Sequence, residues 1–276
     1  MKIAISSESS VDLDKVLLEK YDIHVIPYQI LLGDRIETDG QISPEEIFDY
    51  AQKNKILPKT SALNSEEYKY FFEELLKSYD KVIHLSLSSG ISSTFYNAQK
   101  AAEGLENVTV IDSSSLSTGI GIKAIRLREL LESGMPEVEA IENIKNMKVQ
   151  VSALISKLDY MYKGGRCSSL AYFGANLLKL KPRIVVLDGK VKSSHIYRGK
   201  FEKAFKDYVL DTLKEFPAKK EFVSITYTTA SQELLNQAKE ICEEQGFKNV
   251  IFTQAGATVS CHCGENCIGI MYECLK

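Results

Sequence analysis

The chain has 276 residues, of which 44% are hydrophobic and 26% are charged, and its formal net charge is −3 at pH 7. This composition is typical of a soluble globular protein, and the length allows two cores because single cores stop growing at about 250–300 residues. A spanning helix needs ~18–20 apolar residues in a row, which no window offers, and the start lacks a signal-peptide pattern, so we expect a cytoplasmic protein whose six cysteines are thiols.

Strand-like and helix-like segments alternate through the first half of the chain. We predict strands at residues 2–6, 23–32, 81–87 and 107–112, and helices at residues 11–21, 65–79, 94–102 and 116–131. Another helix is predicted to begin at Ser43-Pro44-Glu45-Glu46, which combines a cap, a proline at the first helical position and a capping-box glutamate. Alternating strands and helices indicate a parallel sheet with helices on both faces.

Four hydroxyl-rich stretches follow these strands or lie in a neighbouring loop: residues 6–10, Thr60-Ser61 after Pro58, residues 88–94 and residues 113–117. In a parallel sheet at least three of them should gather at one edge, where α/β proteins bind ligands. Hydroxyl groups beside the free N–H groups of helix N-termini favour anions. A single serine at such a position is more often only a helix cap, but the clustering favours a binding site.

The second half is predicted to be a mixed sheet with helices on one face. A predicted helix at residues 136–147 and a predicted strand at residues 150–156 lead to a boundary near residue 155. Beyond it we predict one or two helices at residues 157–163 and 169–178, helices at residues 200–216 and 231–245, and strands at residues 221–227, 250–253 and 268–273. A hairpin at residues 183–197 turns at Asp188-Gly189. We therefore expect an α/β protein of two domains, residues 1–155 and 156–276.

Basic residues are concentrated in one stretch, residues 157–204. It holds eleven Lys and Arg residues and three acidic ones, so it carries +8 while the other residues together carry −11. Arg166 follows two glycines and Arg198 precedes one. Each is either a simple surface charge or half of a paired site for a carboxylate, a phosphate or an acidic partner.

Other functions have weaker support. Ser92 with His262 and an acid could form a hydrolase triad, but residues 90–94 lack the second glycine of the nucleophile elbow. Cysteines and a histidine at residues 261–267 suggest zinc, although adjacent residues cannot easily face one ion. Lys179 and Lys181 belong to no long basic run, the pI is about 5.9, and nucleic-acid binding is not expected. Residues 256–264, which contain His262, are predicted to be irregular.

Across its whole length the sequence resembles the DegV family of bacterial fatty-acid-binding proteins. The resemblance implies a two-domain α/β fold that holds one long-chain fatty acid between its domains, needs no cofactor or metal and catalyses no reaction. It also implies a partner, a separate ATP-dependent fatty acid kinase that makes the acyl phosphate for phospholipid synthesis. The matching motifs are residues 6–10, Lys59-Thr60-Ser61, residues 87–95, Ile111-Asp112-Ser113 with Gly119 and Gly121, residues 163–166, residues 174–182, Asp188-Gly189-Lys190, Arg198-Gly199-Lys200 and His262-x-Gly264.

Site residues follow from the resemblance, motif by motif. Thr60 and Ser92 correspond to donors that bind the fatty-acid carboxylate, and His262 completes that site. Ser61 and Ser93 are the neighbours whose backbone groups would contribute. A hydrolase or acyltransferase that uses Ser92 and His262 is the alternative.

Arg166 and Arg198 correspond to positions on the kinase-facing surface of similar proteins. The chain departs from the family pattern at Ala62-Leu63, where Gln-Pro is usual, and at Ser93, where glycine is usual. It also places Glu265 beside the histidine motif. These departures affect the expected head-group site, whereas the three main donors are retained.

Overall fold

The computed structural model describes residues 1–167 and 180–275. The strands of the first half are β1 (Ile3–Glu8), β2 (Ile23–Ile26), β3 (Gln29–Leu32), β4 (Arg35–Thr38), β5 (Lys59–Ser61), β6 (Lys81–Ser86) and β7 (Val108–Asp112). Its helices are α1 (Lys15–Lys20), α2 (Pro44–Asn54), α3 (Ser65–Leu76), α4 (Thr94–Ala102), α5 (Thr118–Glu132) and α6 (Glu137–Asn146), with a 3₁₀ turn at Ser9–Val11. Four strands form a parallel sheet in the order β2-β1-β6-β7, and β4-β3-β5 form a small antiparallel sheet.

The second half contains the strands β8 (Val149–Leu154), β9 (Leu180–Leu187), β10 (Lys190–Arg198), β11 (Val223–Tyr227), β12 (Val250–Gln254) and β13 (Ile268–Glu273). Its helices are α7 (Leu158–Lys163), α8 (Phe201–Glu215), α9 (Gln232–Glu244) and α10 (Ala257–Cys263). The six strands form one mixed sheet in the order β10-β9-β8-β13-β11-β12, with β11 and β12 parallel and the other pairs antiparallel. The predicted fold class, a parallel sheet followed by a mixed sheet, is confirmed.

Helix α5 lies between the two large sheets, because it contacts β1 and β6 of the first sheet and β8 and β13 of the second. Neighbouring residues of β13 point to opposite faces of their sheet. Ile270 packs with Phe205 and Tyr208 of α8, whereas Met271 packs with Ile122 of α5. Helices α8 and α9 therefore cover one face of the mixed sheet, and α5 of the first half covers the other together with α7 and α10.

Local sequence signals were reliable where they involved only neighbouring residues. Ser43 Oγ accepts a hydrogen bond from the backbone N–H of Glu46 at 3.2 Å, and the Glu46 carboxylate accepts one from the N–H of Ser43 at 3.0 Å. The predicted start of α2 is confirmed. The hairpin turn is also confirmed, since Asp188 and Gly189 both have positive φ (52° and 70°), as a two-residue turn of this kind requires.

Other predicted elements were wrong. The single strand predicted at residues 23–32 is two strands in different sheets, interrupted at Pro27, whose ring nitrogen cannot donate to a strand ladder. The helix predicted at residues 11–21 is a 3₁₀ turn followed by the short α1, which Asp14 caps. The predicted helix at residues 169–178 lies outside the described residues, as does Lys179.

Two further corrections concern segments that carry candidate site residues. Thr60-Ser61, predicted to be in a loop, belongs to β5, because Thr60 pairs with Ile30 of β3. Residues 256–264, predicted to be irregular, contain α10. The domain division at residue 155 stays a prediction. Strand β8 ends just before this position, at Leu154, but pairs with β13 and therefore belongs to the second sheet.

Candidate ligand-binding site

Thr60 and His262 meet although 202 positions separate them in the chain. Thr60 lies on β5, His262 lies in the last turn of α10, and 2.9 Å separates Thr60 Oγ1 from His262 Nε2. Either atom can donate, depending on the imidazole tautomer. The pair joins the small sheet of the first half to the helix that precedes the final strand.

Two carboxylates from the first half hold the other end of α10. Asp12 Oδ1 accepts a hydrogen bond from the N–H of Gly256 at 2.8 Å, and Asp39 Oδ1 accepts one from the N–H of Ala257 at 2.9 Å. Side-chain oxygens at this position stabilise a helix by accepting hydrogen bonds from its free N–H groups. Helix α10 is therefore attached to the first half at both ends, which fixes the position of His262.

Burial controls the protonation of two of these groups. It raises the pKa of Asp12 to about 8, although hydrogen bonds from Ser117 and Gly256 act in the opposite direction. Burial, together with the nearby Arg166 guanidinium, lowers the pKa of His262 to about 4. The imidazole is therefore neutral at neutral pH and can donate one hydrogen bond. Its Nδ1 atom is buried and has no hydrogen-bond partner among the described residues.

Ser92 lies in the loop between β6 and α4, and the first residue of α4 orients it. Its hydroxyl donates to Thr94 Oγ1 at 2.9 Å, and the same Thr94 oxygen accepts a hydrogen bond from Tyr28 Oη at 3.1 Å. Ser93 is exposed at the start of α4 and does not line the cavity described next. Ser61 does line that cavity.

The candidate residues surround a cavity between the two halves, which we call the polar cavity. Thr60, Ser61, Ser92, Arg166 and His262 line it, and so do Ser10, Tyr28 and Thr258. The hydroxyl oxygens of Ser10 and Thr258 are buried and have no hydrogen-bond partner among the residues that the structure describes. Sequence reasoning had noted only the serine-rich stretch that contains Ser10. Thr258 gave no signal, because α10 was not predicted.

A second cavity, here called the apolar cavity, adjoins the polar one. Five residues line both cavities: Leu116, Met161, Val191, Val259 and Cys263. Beyond them the wall consists mainly of the aliphatic side chains of the mixed sheet, including Val151, Ala153, Ile184, Val186 and Met271. Apolar surface predominates in both cavities, but the polar groups are concentrated in the polar cavity and are almost absent from the surface of the apolar one.

On its other side the polar cavity borders a basic surface depression, the outer cleft. Thr60, Arg166 and His262 line both. The outer cleft is further lined by four lysines and two acidic residues: Lys55, Lys59, Lys157, Lys163, Asp159 and Glu265. Lys157 Nζ lies 3.6 Å from the Glu265 carboxylate. Arg198, at the end of β10, is exposed and lines neither the cavities nor the outer cleft.

The cysteines near the site are buried thiols. Burial raises the pKa of Cys261, and the thiols of Cys263 and Cys267 contact each other beside the apolar cavity. Within residues 1–167 and 180–275, no three His, Cys, Asp or Glu side chains are grouped as metal ligands. The same residues contain no helix that is both long and apolar enough to span a membrane.

Comparison with known proteins identifies the family. A family model described as "Uncharacterised protein, DegV family" matches residues 2–274. The chain belongs to the DegV family. Protein DegV of Bacillus subtilis is 30% identical over 290 residues, and the match covers 100% of each chain.

Solved structures of other DegV proteins have the same fold. A fatty-acid-binding DegV protein of Thermus thermophilus superposes with a TM-score of 0.89 at 26% identity, over 100% of both chains. DegV of Bacillus subtilis, described as a fatty-acid-binding protein, superposes with a TM-score of 0.86 at 26% identity, again over 100% of both chains.

Proposed function

We propose that this DegV-family chain binds one long-chain fatty acid, with its carboxylate in the polar cavity and its hydrocarbon tail in the apolar cavity. The observation that carries the proposal is the wall that the two cavities share, formed by Leu116, Met161, Val191, Val259 and Cys263. A long-chain fatty acid has the same arrangement, one polar end and one apolar tail. The similar proteins of Thermus thermophilus and Bacillus subtilis, both described as binding fatty acids, support the proposal.

The head group is held by hydrogen bonds. The Thr60–His262 pair offers one donor to the ligand, because its other proton is used within the pair. The Ser92 hydroxyl offers a second when it turns from Thr94 to the carboxylate, and the backbone groups near Ser61 and Ser93 are further donors. A carboxylate that accepts several hydrogen bonds stays ionised in a partly buried site. The Arg166 guanidinium, which also lines the polar cavity, provides the opposite charge.

The tail provides most of the affinity. Each buried CH₂ contributes about 0.8 kcal/mol, so a chain of roughly sixteen carbons contributes on the order of 10 kcal/mol before the cost of ordering the ligand. The hydrogen bonds of the polar cavity therefore orient the ligand more than they determine how tightly it binds.

The chain acts as a carrier and not as an enzyme in this proposal. A serine hydrolase would need Ser92 hydrogen-bonded to His262 and an acid on the other imidazole nitrogen. Instead, Ser92 donates to Thr94, and His262 Nε2 is bonded to Thr60. His262 Nδ1 has no acidic partner in the part of the chain that the structure describes.

A fatty acid kinase subunit is the proposed protein partner, and the cytoplasm is the proposed location. Phosphorylation of the ligand requires access to its carboxylate, and the outer cleft borders the carboxylate site at Thr60, Arg166 and His262. Its excess of basic side chains suits an acidic protein surface or a phosphate donor. Arg198, exposed at the end of β10, is a further proposed contact of the kinase subunit. Arg198→Glu should weaken capture of the kinase subunit in a pull-down and leave the bound lipid unchanged.

Lipid extraction followed by mass spectrometry tests the proposed ligand. Protein purified from bacteria should release about one equivalent of fatty acid, and Thr60→Val, Ser92→Ala and His262→Ala should each lower the affinity of delipidated protein for fatty acid about tenfold, since each removes a donor to a charged group. Ser93→Ala is the matched control, because Ser93 is exposed and does not line the cavity. A protein that carries no lipid and takes up none after delipidation would disprove the proposal.

A further inference from the structure

The apolar cavity follows strand β8. Side chains two residues apart on a strand point to the same face, and Val151 and Ala153 of β8 and Ile155 just after it all line the cavity. The N–H of Ile155 donates to the carbonyl of Pro182 at 3.1 Å, so the extended chain continues to this residue. The four steps of extended chain from Val151 to Ile155 span about 13 Å. Val151, Ala153 and Ile155 therefore line about 13 Å of the wall of the apolar cavity.

One end of this line adjoins the polar cavity. Ile155 packs in one cluster with Met161, Val259 and Cys263, which line both cavities. Val151, at the other end, belongs to a different cluster, with Met271 of β13 and Ile122 of α5. In the strand register Val151 pairs directly with Met271. Neither Val151 nor Met271 lines the polar cavity, so the pair lies in the part of the apolar cavity that the carboxylate site does not share.

Packed side chains lie behind this pair. Val151 and Met271 are 3% and 5% exposed, and Ile122, which packs against them from α5, is 7% exposed. Thr226 Oγ1 lies 3.6 Å from Met271 Sδ and fixes the direction of the thioether. A ligand that reached this pair could extend further only by displacing close-packed core residues, which protein interiors resist.

We propose that Met271 and Val151 form the closed end of the apolar cavity and set the longest acyl chain that the protein binds well. The inference rests on the proposed fatty-acid function and adds its chain-length specificity. Each CH₂ buried along the cavity should increase affinity about fourfold, the equivalent of ~0.8 kcal/mol. Once the terminal methyl group contacts Met271, an additional CH₂ brings no gain.

The test is a series of saturated fatty acids of increasing even chain length, each titrated into delipidated protein. For the wild type, affinity should rise with each added pair of carbons and then stop rising at one length, the break point. Met271→Ala removes three heavy atoms from the closed end and should move the break point about two carbons longer. Val151→Met fills the same end and should move it about two carbons shorter. Val149→Met is the matched control, because Val149 packs in the same cluster without lining the cavity.

The opposite shifts distinguish chain-length control from general loss of structure, since unfolding lowers affinity for every chain length equally. His262→Ala should likewise lower affinity at all lengths without moving the break point. If wild-type protein binds fatty acids but neither Met271→Ala nor Val151→Met moves the break point, the inference is wrong and the proposed function stands. If the wild type binds none of the series, the proposed function fails and the inference fails with it.

Discussion

His262 is the residue on which the two halves and the candidate ligand converge. Its imidazole is neutral because burial and the nearby Arg166 guanidinium together lower its pKa to about 4. The unfolded chain, with a pKa near 6.5, takes up this proton first as the pH falls. This group therefore contributes stability that is complete above about pH 6.5 and is lost as the pH falls from there to about 4.

NMR titration of the imidazole resonances should give a midpoint for His262 near pH 4. Arg166→Gln should raise this midpoint, because it removes a positive charge beside the ring, whereas Arg198→Gln should leave it unchanged, because Arg198 does not line the site. A midpoint near 6.5 in the wild type would contradict the burial argument and would make the imidazole a cation at weakly acidic pH.

Asp12 has the opposite effect on stability. Burial raises its pKa to about 8, so the folded protein keeps this proton at pH values where the unfolded chain, with a pKa near 3.8, has lost it. The contribution of Asp12 to stability therefore falls as the pH rises from about 4 to about 8, by at most about 1.4 kcal/mol per pH unit.

Asp12→Asn keeps an oxygen that can accept from Gly256 and cannot ionise. Urea unfolding at pH 5, 6.5 and 8 should therefore show the variant gaining stability relative to the wild type as the pH rises. Other titrating groups are the same in both proteins and cancel in the difference. Parallel pH dependences for the two proteins would show that Asp12 does not titrate in this range.

At the residue scale, sequence motifs identified the proposed hydrogen-bond donors of the ligand site. They did not identify the contacts that hold those donors in position. Thr60, Ser92 and His262 could be named because each lies in a short pattern. The hydrogen bonds of Asp12 and Asp39 to α10 could not be predicted, because they join residues 244 and 218 positions apart. Tertiary structure alone brings such partners together.

At the scale of elements, the hairpin of β9 and β10 packs against the loop that carries Ser92. Ser88 Oγ donates to the carbonyl of Gly189 at 2.7 Å, and a Cβ atom on Gly90 would lie 2.6 Å from the same carbonyl oxygen. Gly90 is therefore required for close contact between two backbones. The contact fixes the distance between Ser92, at the polar cavity, and Val191, which lines both cavities.

Gly90→Ala should push the hairpin turn away from this loop, lower the free energy of unfolding by about 1–3 kcal/mol and lower fatty-acid affinity. Thermal unfolding and fatty-acid titration measure the two effects. Ser89→Ala, one residue earlier, is the matched control and should change neither by much. Unchanged affinity in Gly90→Ala would show that the hairpin does not position the Ser92 loop.

Helices and turns were predicted correctly where neighbouring residues determine them. Elements that depend on contacts with distant parts of the chain were not predicted. The capping box of α2 and the Asp188-Gly189 turn involve residues within a few positions of each other. Strand β5 has three residues and exists because it pairs with β3, and no local pattern indicates such a pairing. Helix α10 has seven residues, a glycine before it and its capping acids elsewhere in the chain, so the usual start signal is absent.

At the scale of the molecule, helix α5 links the two large sheets. Its residues pack in the core of the first half through Ile120 and Leu127 and against the second sheet through Ile122. Two further sets of contacts connect the halves. Thr60, Asp12 and Asp39 form hydrogen bonds at the two ends of α10, and Ser88 forms one with the hairpin turn at Gly189. Unfolding one half would expose apolar surface of the other, so we expect the two halves to unfold together.

A ligand held between the halves should therefore raise the stability of the whole molecule. Delipidated protein should melt in one calorimetric transition, and fatty acid at 100 times its dissociation constant should stabilise the fold by about 2.7 kcal/mol. In a chain of this size that corresponds to a rise in Tm of about 5 °C. His262→Ala should show a smaller rise at the same lipid concentration, because its affinity is lower. Two separate transitions, of which only one moves with lipid, would show that the ligand contacts one half alone and that α5 does not couple the sheets.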